Sequence, residues 1–95
     1  MNTLDYNPSK KITVINELGL HARPAGMIAN LAIKAQSDIW LCKNGDQVDA
    51  SSIIDILSLS CPKGTNVTLK IEDPKDLNIL NEIISLFEKG FGEKV

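Results

Sequence analysis

The 95-residue chain carries ten Lys and Arg against twelve Asp and Glu, for a formal charge of −2 and a pI near 5.2. That length suits one domain with one modest core. With one Trp, one Tyr and two Phe there are few rings for stacking on bases and no basic stripe for a phosphate backbone, so nucleic acid is a poor partner.

Residues 1–9 form a short polar lead-in, and a single domain is expected over residues 10–95. The N-terminus lacks a basic start followed by an apolar run, and no apolar cluster approaches the ~20 residues needed to span a bilayer. These features point to a cytoplasmic protein without membrane contact. In that compartment Cys42 and Cys61, which belong to no CxxC pair, are expected as reduced thiols. One His and two scattered Cys give no zinc-ligand spacing, so neither a metal site nor a cofactor is expected.

KKITVIN, Lys10 to Asn16, alternates with Ile12 and Val14 on one face and predicts a strand. From Pro24 onward, Ala25, Ile28, Ala29, Leu31, Ala32 and Ala35 recur at helical spacing. SDIWLCKNGDQVDA then sets Ile39 and Leu41 inward against Trp40 and Cys42 outward, turns at Asn44-Gly45 and resumes through Val48, which reads as a hairpin. SSIIDILSLSCPKG opens with Ser and closes with Pro62 and Gly64, as a brief second helix does.

NVTLKIE, Asn66 to Glu72, alternates again with Val67, Leu69 and Ile71 inward. Asp73-Pro74 opens a last helix with an N-cap acceptor and a proline in the first turn. Its inward stripe is Leu77, Leu80, Ile83, Ile84 and Phe87, and Gly90 ends it in the left-handed conformation with Phe91 folding back. The order is βαββαβα. Because the strands alternate, one sheet face is expected under helices and the other open. The expected fold is therefore α/β (α+β): an open-faced β-sandwich of a four-stranded antiparallel sheet with three helices on one face.

The only histidine stands in GLHARPAG. Pro24 is tolerated only within the first turn, so the helix starts within a residue or two of His21. There the backbone N–H groups lack intrahelical partners and the helix dipole places partial positive charge. The amides of Ala22 and Arg23 are expected to face whatever the imidazole carries, and the Arg23 guanidinium adds charge-assisted bonds to phosphate oxygens. The same positive end disfavours imidazolium and leaves a neutral, nucleophilic ring. A plain helix-capping histidine with a solvated arginine is the simpler alternative.

LGLHARPAG, SSIIDILSLSCPKG and the terminal EKGFGE together closely resemble the HPr phosphocarrier family of the bacterial sugar phosphotransferase system, over nearly the whole chain from Lys10. The resemblance implies a phosphoryl carrier, not an enzyme, loaded by phospho-enzyme I and unloaded onto enzyme IIA domains. It implies phosphate on Nδ1 of His21, with Arg23 assisting transfer. Leu18 departs from many members, which have a small polar residue there. A second reading is a regulatory binding module in a nitrogen-type or incomplete phosphotransferase chain. A ferredoxin-like interaction domain fits the element order alone, and a hydrolase lacks a triad pattern.

Ser52, with Asp55 three positions on, is close to a capping signature. The resemblance also implies regulatory phosphorylation of Ser52 by an HPr kinase. Two departures bear on this: Ser51 replaces a basic residue common in the family, and Asp55 brings a carboxylate one turn from the modified group. Ile53, Ile54, Ile56, Leu57 and Leu59 are too many apolar residues for one face of so short a helix. Ile53, Ile54 and Leu57 are expected as an apolar docking platform beside His21, with Ile56 and Leu59 in the core. The protein is expected to be a monomer.

Overall fold

Alternation with a period of two gives each strand one apolar row, and pairing the strands gathers those rows into a single face that must be covered. The computed structural model describes residues 8–95. Most of the polar lead-in, residues 1–7, lies outside the described residues. The elements are β1 (Ser9–Thr13), α1 (Ala22–Ala32), β2 (Ile39–Lys43), β3 (Asp46–Asp49), α2 (Ile53–Ser58), β4 (Asn66–Ile71) and α3 (Leu77–Glu88), with 3₁₀ turns at Pro74–Asp76 and Gly90–Gly92. The four strands form one antiparallel sheet in the order β1-β4-β2-β3.

The register sets Leu41 opposite Leu69 and Ile39 opposite Ile71, and all four are buried together with Val67. Ala25 and Ile28 of α1, Ile56 of α2 and Leu80, Ile83 and Phe87 of α3 complete the same core. Lys70 and Thr68 lie opposite Trp40 and Cys42 on β2, and all four retain solvent exposure. The Trp40 indole donates to Glu72 Oε2 at 2.6 Å, so its polar end is satisfied within the chain.

Three boundaries differ from the sequence reading. β1 runs from Ser9 to Thr13 and stops short of Asn16, because the Asn16 side chain bonds the backbone of its own turn, donating to the Gly19 carbonyl at 2.8 Å. Helix α1 starts at Ala22, which leaves Pro24 inside the first turn, and ends at Ala32. Ala35 therefore lies beyond the helix, and Leu31 is only half-buried.

The third difference concerns the inward stripe of α3. Asp73 does accept from the Lys75 amide as a cap, but the turn it opens is 3₁₀, and its tighter winding rephases the helix that follows. Asp76 takes the covered place, 2 % exposed, accepting from the amides of Gln36 and Ser37 at 2.8 and 2.9 Å. Leu77 is turned outward and Ile84 is half-buried.

At the other end of α3 the chain reverses through Gly90, Phe91 and Gly92, with φ of 59°, 57° and 73°. The left-handed conformation costs a residue with a Cβ about 1–2 kcal/mol. Phe91 adopts it while burying its ring edge-on against Phe87, 4.9 Å between centroids, and burial of that ring outweighs the cost. The reversal sends the last residues back toward the start of α1.

Candidate functional site

The loop before α1 is held by backbone contacts that place His21. Leu20 N–H donates to the Cys61 carbonyl at 2.9 Å, and Gly19 N–H donates to the Asn16 carbonyl at 3.1 Å. Gly19 has φ +68°, and a Cβ there would stand 2.5 Å from the Cys61 oxygen and 2.8 Å from Pro62 Cα. Only glycine lets the two segments approach this closely.

His21 is the N-cap of α1, extended at φ −75° and ψ −172°, and its side chain makes no capping bond. The first intrahelical bond runs from Ala25 N–H to the His21 carbonyl at 3.0 Å. The amides of Ala22 and Arg23 stand ahead of that bond, at the electropositive end of the helix.

The sequence reading surrounds His21 with positive charge alone. The structure adds a carboxylate from the far end of the chain. Nε2 of His21 lies 2.9 and 2.8 Å from the two oxygens of Glu93. Arg23 Nη1 donates to Glu93 Oε2 at 2.9 Å and to the Phe91 carbonyl at 2.8 Å. Asn16 Nδ2 donates to Glu93 Oε1 at 3.0 Å. Glu93 is thus the meeting point of the loop, the helix start and the terminal reversal. Among the described residues none is hydrogen-bonded to Nδ1 of His21.

The hydrogen bond from His21 is the largest influence on Glu93 and lowers its pKa from 4.5 to about 2; those from Asn16 and Arg23 act the same way, against desolvation. Glu93 is therefore an ionised acceptor at neutral pH. Sequence reasoning missed it because 72 positions separate it from His21. The available signal was the Gly-Phe-Gly run just before it, which folds the chain back.

The side chains of His21 and Arg23 are 37 % and 55 % exposed, open enough for a macromolecular partner to reach. His21 also borders a shallow, open depression of about 410 Å³ shared with Leu18, Leu20, Ser60, Cys61 and Pro62. Leu18 is 68 % exposed at its rim.

Ser52 caps α2, its hydroxyl oxygen accepting from Asp55 N–H at 3.2 Å. Ile53, Ile54 and Leu57 are exposed, while Ile56 and Leu59 are buried. Gly26 of α1 packs beside Ile53, since a Cβ there would lie 3.8 Å from Ile53 Cδ1. The exposed apolar row of α2 therefore adjoins the helix that His21 begins.

Cys42 and Cys61 are free thiols, and burial raises the pKa of both above 9.0, away from an activated thiolate. Among the described residues no group of three or more His, Cys, Asp or Glu is placed to hold a metal ion. Among them, too, no helix is long and apolar enough to cross a membrane.

A family model described as "PTS HPr component phosphorylation site" matches residues 8–89. The phosphocarrier protein HPr of Cupriavidus necator is 37% identical over 81 residues, spanning 85% of this chain and 91% of that protein. The crystal structure of HPr-C-His from Thermoanaerobacter tengcongensis is similar with a TM-score of 0.86 and 35% identity, over 93% of this chain and 99% of that one. A dimeric HPr crystal structure from the same organism aligns with a TM-score of 0.71 and 38% identity, over 86% of this chain and 94% of that one.

Proposed function

The chain belongs to the HPr family of phosphotransferase-system phosphocarriers, and on that premise we propose that His21 accepts a phosphoryl group from phospho-enzyme I and passes it to enzyme IIA domains in sugar uptake. A member of this family is a carrier and not an enzyme. The observation that carries the assignment to His21 is its placement: a partly exposed ring at the open start of α1, with one nitrogen tied to a carboxylate and the other bonded to none of the described residues.

In the transfer, the Nδ1 lone pair attacks phosphorus. The bond from phosphorus to the donor nitrogen breaks, and its electron pair returns to the donor. The Ala22 and Arg23 amides and the Arg23 guanidinium stabilise the phosphoryl oxygens. A helix dipole is worth about 0.3–1 kcal/mol at an exposed site, enough to orient the group without trapping it. Onward transfer runs the same exchange in reverse, with the partner completing the electrostatics of an otherwise open site.

Ile53, Ile54 and Leu57 form the apolar platform against which enzyme I and IIA domains dock in the cytoplasm. Ser52 is the candidate for modification by an HPr kinase; phosphate there adds about −1.5 to −2 charge beside that platform and next to Asp55. Exposed Leu18 supports a second reading, a regulatory module of a nitrogen-type or incomplete phosphotransferase chain. Neighbouring genes separate the two: sugar permease components favour uptake, regulatory IIA-like partners alone favour regulation.

The test is incubation of the protein with enzyme I and phosphoenolpyruvate. The expected product carries one acid-labile, alkali-stable phosphate per chain, discharged on adding a IIA domain. Failure to incorporate phosphate with active enzyme I overturns the carrier reading.

A further inference from the structure

We propose that Lys43 is a positioning residue for phosphoryl transfer: from the end of β2 its ammonium group holds the chain reversal after α2, to which the loop that places His21 is bonded. The proposal rests on the carrier reading for its kinetic consequence, whereas its effect on the loop is readable in the protein alone.

Lys43 stands where alternation calls for an apolar residue. It follows Ile39 and Leu41 in the inward row of β2, and both of those are buried. A lysine fits such a place by laying its stem along apolar surface and carrying its charge out to a polar partner. Here the partner is backbone: Nζ donates to the Leu59 carbonyl at 3.0 Å and to the Ser60 carbonyl at 2.6 Å.

Those carbonyls need a donor. The six-residue α2 ends at Ser58, and its closing bonds run from the Leu59 and Ser60 amides back to the Ile56 and Leu57 carbonyls, so the Leu59 and Ser60 oxygens lie beyond the helix's own amides. Ser60 also turns the chain at φ +54°, a conformation that disfavours a residue with a Cβ. A cation is favourable at the end of a helix, and hydrogen bonds from a charged donor are the stronger kind.

The reversal in turn holds the histidine loop. The next carbonyl after the two that Lys43 bonds, that of Cys61, accepts the Leu20 N–H at 2.9 Å, and Gly19 packs against that same oxygen and Pro62 Cα. His21 is the following residue. Ser60, Cys61 and Pro62 also line the depression that His21 borders. The charge is felt at residue 61 as well: burial raises the Cys61 thiol pKa, and the Lys43 ammonium acts in the opposite direction.

Two variants isolate the cation. Lys43→Met keeps an apolar stem and removes the charge and its donors; Lys43→Arg keeps both. The scalar coupling across the hydrogen bond from Leu20 15N to the Cys61 carbonyl 13C reads that contact in the folded, unphosphorylated protein, where a change in overall stability alone does not move it. We expect the coupling to weaken in Lys43→Met and to return in Lys43→Arg. The coupling from Val14 N–H to the Thr65 carbonyl, a 2.9 Å bond outside the reversal, should stay the same in all three proteins.

Phosphoryl acceptance from phospho-enzyme I should lose kcat by about 10-fold in Lys43→Met, within the ~100-fold that a displacement of ~1 Å costs at a reacting centre. KM should be nearly unchanged, because Ile53 and Ile54 lie at the other end of α2, beside the Ser52 cap. An unchanged Leu20–Cys61 coupling in Lys43→Met overturns the positioning role. So does a loss confined to KM, which would make Lys43 a support of the docking platform instead. Arginine performing no better than methionine overturns the role of the cation. If wild type itself takes no phosphate, the carrier reading fails while the coupling still decides whether Lys43 holds the loop.

Discussion

Replacing Gly19 with alanine should destabilise the protein by about 2–4 kcal/mol, through two costs that act together. The added Cβ must adopt φ +68°, and it meets the Cys61 oxygen at 2.5 Å and Pro62 Cα at 2.8 Å. Both neighbours are backbone and cannot swing aside. Relief requires the loop to lift from residues 61–62, which strains the Leu20 N–H bond to Cys61 O and moves His21, the next residue in the chain.

Gly45→Ala is the control. Its φ is +87°, but nothing lies within 4 Å of the added methyl, so only the dihedral cost of about 1–2 kcal/mol remains. Urea unfolding followed by Trp40 fluorescence should show the larger midpoint shift for Gly19→Ala, with the slope unchanged. Equal shifts for the two variants would show that close packing of the loop contributes nothing.

His21→Ala should reduce phosphate incorporation from enzyme I and phosphoenolpyruvate to background while the fold persists. The histidine side chain is 37 % exposed and makes no capping bond, so its removal takes little from the core. Removing the nucleophile from a group-transfer site abolishes the covalent step. The measurement pairs labelling with the urea midpoint of the same variant. Full labelling in a folded His21→Ala protein would remove the ring from the mechanism and point to another acceptor.

Much of this architecture was legible in residues 10–95 because it rests on short-range rules. Strict alternation marked Val67, Leu69 and Ile71, and these are buried in β4. The Asn44-Gly45 turn, Ser52 as cap and Gly90 with Phe91 folding back are all local chemistry, and all three are present. Pro24 placed the helix start within two residues.

What escaped depends on long-range placement. The 3₁₀ turn that carries Asp76 inward and Leu77 outward has no signature in a uniform 3.6-residue period. Nor does periodicity report that Asn16 is more useful to its own turn than to a strand. Glu93 is the clearest case. It joins the site only after the sheet, α1 and α3 have brought the two ends of the chain together.

The carrier mechanism turns on which atom of His21 bonds phosphorus. Nitrogen-15 labelling of the histidine, phosphorylation by enzyme I and phosphoenolpyruvate, and detection of the nitrogen–phosphorus coupling identify that atom directly. The expected result is a single phosphoryl group on Nδ1, with Nε2 still protonated. Phosphate on Nε2, or on a residue other than His21, would contradict it.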